Sequence, residues 1–486
     1  MRFSFPPGGQ DRSRLTYVPR PGLVIAVLAF AGMGASFMQT ILLPIQSELP
    51  LLLGESRDVT AWAITVTLLV AAICTPISGR LGDMYGKKTV ALALLGLLVL
   101  GSVVAALSSS VVLLIVGRGL QGMGMGVIPL GISILRDVLH KERLGSGIAM
   151  VSATLGVGGA LGLPISAFVT EHYDWHVMFW VAAGIGLLAL VLVAWIVPAS
   201  TMRAGGKLDV VGVIGLAVGL TGVLLAVSRG NDWGWGSPRT LGLLLGGLAV
   251  LLVWGWYELR IDAPLVDLRV TARGTVLFTN LASIAMGFAL FASQVVFPQL
   301  LELPAEAGGL GLSLMQASLI LMPAGLAMLA MSPVAGRLEH RFGPKPLLAA
   351  GSAIIALSYV IAVAVDLEVW HVLVVNIVVG IGIGLGFAAM PALIMQVVPA
   401  RETGAANGLN TLMRSLGTTS AAAVVGGVLA AGGAELDGVP VPSDDAFRTA
   451  LLFGLLAALV CTVLALLIPR PRLGEDERPS LPDGVL

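Results

Sequence analysis

Gly79-Arg80-Leu81-Gly82-Asp83-Met84-Tyr85-Gly86-Lys87-Lys88 lies between two long apolar runs, 59–78 and 89–107. A chain that crosses an apolar layer twice must reverse within a few residues. Glycine there gives access to backbone conformations closed to other residues. Arg80, Lys87 and Lys88 would hold the turn on the membrane face where Lys and Arg concentrate. Asp83 is an acid in a basic turn, so it is expected to meet a cation or the N-terminus of a neighbouring helix. A second copy, Gly336-Arg337-Leu338-Glu339-His340-Arg341-Phe342-Gly343-Pro344-Lys345, follows 257 residues later. Gly, Arg, Leu, Gly and Lys recur at the same offsets, and Phe342 answers Tyr85. Two such turns in one polytopic chain indicate duplicated halves arranged as a parallel repeat.

The composition sets the class. Of 486 residues, 57% are hydrophobic and 12% charged, and the mean hydropathy is +0.95. A soluble domain carries about 25% charge, so an all-α integral membrane protein is expected. The net charge is zero, which gives no footing for nucleic acid. Cys74 and Cys461 lie far apart inside apolar runs and read as small buried hydrophobes. No metal is expected, because the five His sit in or beside loops without ligand spacing. Residues 1–21 are polar and rich in Pro and Arg, unlike a cleavable signal peptide.

Runs near the ~20 residues that cross a bilayer place helices at 22–46, 59–78, 89–107, 111–138, 144–169, 177–198, 208–228, 239–258, 274–301, 312–334, 347–365, 370–396, 403–432 and 447–468. The two turns follow the second and tenth of these fourteen. Six helices per half then leave the seventh and eighth as an inserted pair (6 + 2 + 6). The expected organisation is a cytoplasmic segment 1–21, a six-helix bundle 22–198, the inserted pair with its flanking loops 199–273, a second bundle 274–468 and a disordered cytoplasmic tail 469–486. Of the 28 Lys and Arg, Arg57, Arg229, Arg239 and Arg448 form the four on one side, Arg118 and Arg414 lie within helices, and the remaining 22 share the other side. That asymmetry puts both termini in the cytoplasm.

The first turn resembles, in full, the signature loop of the major facilitator superfamily, G-x-L-x-D-x-x-G-[RK]-[RK]; the second copy is a degenerate match. The fourteen spans resemble its drug:proton antiporter branch of the QacA/EmrB type. Family resemblance and topology together suggest an inner-gate cluster in which Asp83 pairs with Arg136, and Lys87 with Asp137, beside Gly79, Arg80, Gly86 and Lys88. In the fourth run, Arg118, Gln121 and Gly122 match the family's helix-4 motif, and the resemblance implies a part in proton transfer or in tuning a carboxylate pKa. A charge inside a span faces a bundle interior or aqueous cavity, or else snorkels to the interface. In the fifth run, Gly147, Gly156, Gly162 and Pro164 form a shifted, partial version of the exporter motif. Ala160-Leu161 stand where Gly-Pro is expected, and Pro164-Ile165 where a Gly pair is.

Asn407, Asn410 and Arg414 recur at i, i+3 and i+7, one helical face, and are expected to face a cavity or gate. Similar runs occur in the fourteen-helix branch. Scattered polar groups such as Trp62, Asn280, Gln316 and Asn376 are either cavity groups or interhelical bonds. Members of this branch often carry an Asp nine residues before a Pro in helix 1. Counting back from Pro44 gives Ala35. With no acid near the middle of any run, proton coupling would fall to Glu48, Asp83, Asp137, Glu302 or Glu306.

The resemblance therefore implies a major facilitator exporter in the cell membrane, not an enzyme. It would move amphipathic drugs or secondary metabolites by alternating access and proton antiport, with a part in multidrug efflux and antibiotic resistance. The proton gradient would be its energy source, with no cofactor, and its partners the bilayer, a small substrate and protons, as a monomer. The missing helix-1 acid keeps open a lipid or dedicated-metabolite exporter, or a facilitator. A sensor on a transporter scaffold is the reading from another class.

Overall fold

The structure, a computed structural model, describes residues 20–42, 45, 48–199, 203–204, 207–436 and 439–469. All of the expected segment 1–21 but its last two residues, and all of the tail 469–486 but its first, lie outside the described residues. So does Pro44, from which Ala35 was counted.

Fourteen helices among the described residues are long and apolar enough to cross a bilayer. They are α1 (Pro21–Thr40), α2 (Asp58–Tyr85), α3 (Lys87–Ala106), α4 (Val111–Val138), α5 (Glu142–His172), α6 (His176–Ile196), α7 (Val210–Trp233) and α8 (Pro238–Glu258). The second half continues with α9 (Gly274–Glu302), α10 (Leu314–Phe342), α11 (Pro344–Ala364), α12 (Val369–Met395), α13 (Ala400–Ala431) and α14 (Asp444–Leu467). A short antiparallel hairpin, β1 (Gly433–Leu436) with β2 (Val439–Pro442), joins α13 to α14. The chain is all-α apart from this hairpin.

The signature stretch is helix rather than loop. α2 runs unbroken through Arg80 and Asp83 to Tyr85, and α3 begins at Lys87. One residue, Gly86 at φ 105°, makes the reversal. That φ disfavours any residue with a Cβ. The second copy does the same: helix to Phe342, Gly343 at φ 82°, then Pro344 opening α11. Polar residues remain helical here because the helices extend past the apolar layer. The last third of α10, Ser332–Phe342, carries Arg337, Glu339, His340 and Arg341 and is such an extension.

Two large apolar cores form. One draws on α1–α6, the other on α9–α14. A third, smaller core sets Leu216, Leu220 and Leu224 of α7 against Ala72 of α2 and Leu409 and Leu412 of α13. The seventh span thus lies along the α2–α13 line. α8 packs on α7 and turns Leu245, Leu252 and Val253 outward, as a helix facing lipid would. α4 tightens into a 3-10 turn at Gly124–Gly126. Added Cβ atoms there would collide with Leu98 of α3 and Ser78 of α2, so the missing side chains are what let three helices meet.

Candidate functional site

The two cores touch along two seams, α2 against α13 and α5 against α10. At the first, backbones nearly meet. A Cβ on Gly404 would stand 2.5 Å from the Gly79 carbonyl oxygen, and one on Gly408 2.5 Å from that of Thr75. At the second, a Cβ on Gly336 would stand 2.7 Å from Ser146 Cα, and one on Gly325 2.6 Å from the Gly156 carbonyl oxygen. Gly79 of the turn and Gly156 of the fifth run therefore serve close helix approach across the halves.

Asp83 sits at the first seam with its side chain sealed from solvent. Its Oδ1 accepts the Gly404 N–H at 3.0 Å and its Oδ2 the Ala405 N–H at 2.8 Å. These amides open α13, where N–H groups lack intrahelical acceptors and the helix dipole favours an anion. The acid of one half thus caps a helix of the other. Lys87 Nζ lies 3.8 Å from Asp83, donates to Asp137 Oδ2 at 2.7 Å and to Thr403 Oγ1 at 3.1 Å. The expected Lys87–Asp137 pair is present. The expected Asp83–Arg136 pair is not: Arg136 donates both Nη groups to the Val398 carbonyl at 3.1 Å. Two backbone amides have taken the place of the cation. Lys88 donates to the Ala194 carbonyl at the C-terminus of α6, a favourable end for a cation. Arg80 is buried.

Arg118 does not snorkel. It is fully buried, donating Nη1 to the Met38 carbonyl (2.7 Å) and to Gln121 Oε1 (2.9 Å), and Nε to the Ala63 carbonyl (3.2 Å). Met38 belongs to the last turn of α1, whose carbonyls have no intrahelical donor. Gln121 passes the network to Ser102 Oγ of α3 at 2.8 Å. One guanidinium therefore ties α1, α2 and α4 together and needs no acid. Gly122 packs on the Thr67 carbonyl.

The expected polar stripe of α13 spreads over three neighbours instead of lining one space. Asn407 donates to Ser133 of α4 across the halves, and Asn410 to Asn280 and Ser283 of α9. The Arg414 guanidinium lies 4.6 Å from the Phe387 ring centroid on α12 and donates to Thr411. All three are buried. In α5, Gly147 faces Leu135 and Leu139, Gly156 faces Met328 of α10, and Gly162 faces Thr40 at the end of α1. Pro164 lies inside that helix.

Sequence reading missed a further cluster. Arg229, assigned above to a loop, is buried within α7. It donates to the Asp58 carbonyl at 3.1 Å and to Asp232 Oδ2 at 3.2 Å, and lies 5.2 Å from the Trp62 ring centroid. Two residues on, Asn231 donates to the Ala423 carbonyl of α13. The signal was weak, since a charge near the end of an apolar run reads equally well as loop.

Every hydrogen bond described between the two cores lies near the two glycine turns: Lys87–Thr403, Asp83–Gly404, Asp83–Ala405, Arg136–Val398, Asn407–Ser133 and Ser332–Ala149. Duplicated helical bundles of fourteen spans, closed on each other at one end, define a membrane transporter. The chain belongs to the Major Facilitator Superfamily, whose profile matches residues 28–300 and again 279–483. It is thus a multi-pass cell-membrane transport protein and not an enzyme. It is 28% identical over 398 residues to the lincomycin resistance protein LmrB of Listeria monocytogenes, covering 81% of this chain and 80% of that one. It is 24% identical over 415 residues to the multidrug transporter protein MdtP of Bacillus subtilis, covering 84% and 74%. The crystal structure of the human organic anion transporter MFSD10 (TETRAN) has the same fold, with TM-score 0.64 and 15% identity over 91% of this chain and 100% of that one.

Proposed function

We propose that the protein exports amphipathic small molecules by alternating access, coupled to proton entry. The observation that carries this reading is the Asp83 cap on α13. A carboxylate of one half holds the first amides of a helix in the other, a joint that must break for that end to open. The excess of Lys and Arg around the turns argues that this end faces the cytoplasm. Relatives named for multidrug transport and lincomycin resistance support drugs or secondary metabolites as the substrate class. Ala35, where the related branch carries an acid, favours a second reading: a lipid or dedicated-metabolite exporter, or a facilitator without proton coupling.

The test is proton movement in proteoliposomes under an imposed pH gradient, with lipophilic cations, neutral drugs and lipids as substrates. Substrate-dependent proton flux that vanishes in Arg118→Ala is expected. Transport without proton flux would move the assignment to the second reading.

A further inference from the structure

The two seams are built alike. At α2–α13, Asp83 lies against Gly404, whose added Cβ would be 2.7 Å from Oδ1. At α5–α10, Glu339 lies against Gly145, whose added Cβ would be 2.8 Å from Oε2. In both, an acid of one half is pressed onto a glycine in the early turns of a helix of the other. Aligning the two turns residue by residue hides this, because His340, not Glu339, falls opposite Asp83. The seams differ in one respect. Asp83 receives two backbone N–H groups, whereas Glu339 Oε2 is sealed from water and has no hydrogen-bond donor.

Among the described side chains, the charged groups on the packed elements do not supply one. Arg337, His340 and Arg341 on α10, and Glu142 and Arg143 on α5, are exposed. Lys345 at the start of α11 donates to the Ile468 carbonyl. α12 ends without a charged residue, at Met395. Among the described residues no ion pair reaches Glu339 within 4.0 Å. A sealed carboxylate oxygen lacking a donor is costly when charged, and a neutral acid is the form that such a site accepts. Glu339 as a whole is only partly buried; when the seam parts, water reaches Oε2 as well and the cost of its charge falls.

We propose that Glu339 is a proton-binding residue of the transport cycle, holding a proton while α5 and α10 are packed and releasing it on the turn-bearing side as they separate. This rests on the antiport reading above, for which it names the carboxylate of the release step. It is distinct from the five acids that the sequence offered.

The experiment places spin labels at Arg143 and Phe342, both exposed and on opposite sides of the seam, in a background without Cys74 and Cys461. Distances are read in nanodiscs across pH, alongside proton flux in proteoliposomes. In the otherwise unmodified protein the ratio of closed to open seams is expected to fall up to about tenfold per pH unit where Glu339 titrates. Glu339→Gln is expected to abolish that dependence and hold the seam closed. Glu339→Asp, which keeps the acid on a shorter arm, is expected to retain the dependence with a shifted midpoint, and stands in should the Gln variant fail to fold. An unchanged pH response in Glu339→Gln, or a flat response with Glu339 in place, overturns the proposal. Substrate-driven proton flux that persists in Glu339→Gln overturns it while leaving antiport standing. A Glu339-dependent seam without any substrate-driven flux overturns antiport and keeps Glu339 as a proton-binding group.

Discussion

Lys87 and Asp137 sit 2.7 Å apart with 1% and 2% of their side-chain surfaces exposed. The lysine opens α3 and the acid closes α4, and the same ammonium reaches Thr403 of the other half. A sealed ion pair adds little against an apolar pair of the same shape, yet removing one member is expensive.

Lys87→Met should therefore destabilise the protein by on the order of 3–5 kcal/mol, read as a lowered unfolding temperature in detergent. The exchange Lys87→Asp with Asp137→Lys should recover part of that loss. A single variant as stable as the parent would show that this pair bears no load.

At Asp83 the partners are backbone amides. Asp83→Ala should loosen the seam at the turn-bearing end and cut efflux about tenfold, with the reactivity of a reporter cysteine at Thr403→Cys rising. Combining Asp83→Arg with Arg136→Asp should rescue nothing, because Arg136 holds the Val398 carbonyl instead. Rescue by that double exchange would contradict the cap.

Gly404→Ala and Gly408→Ala put a methyl group onto opposing backbone, which cannot yield as a flexible side chain would. Both are expected to lose transport while still reaching the membrane. Gly184→Ala, with nothing within 4 Å of the added Cβ, is the matched control. It should leave transport intact and gain up to about 1 kcal/mol in helix stability. Equal effects at all three positions would remove close approach as the cause.

Arg118 offers a forked donor to two carbonyls and Gln121, a geometry that lysine cannot copy. Arg118→Lys should lower stability by about 2–4 kcal/mol, since buried acceptors lose their donors, and should reduce transport as severely as Arg118→Gln. A fully active lysine variant would mean that charge alone matters there.

Much of this was legible in the chain. Apolar runs located all fourteen spans because run length is the quantity a bilayer selects. The sign mismatch of Asp83 within a basic turn pointed to a helix N-terminus or a cation, and the helix N-terminus is what it meets. The choice of Arg136 as its partner failed because backbone amides leave no trace in residue identity. Helix ends at Tyr85 and Phe342 were placed too early, since charged residues past the bilayer read as loop although their backbone stays coiled. Val439-Pro440-Val441-Pro442 forms a strand that its prolines argue against. Glu339 escaped notice because its likeness to Asp83 is spatial and lies one residue off the sequence register.

The placement of α7 sets the mechanics of any rocking. Near one of its ends it is fastened to α2 through Arg229 and Asp58, and to α13 through Asn231 and Ala423. These fastenings lie away from the glycine turns, so the inserted helix ties the two bundles together along one flank. In the proposed cycle the α5–α10 flank, along which the inserted helix does not run, would be the freer of the two seams to part.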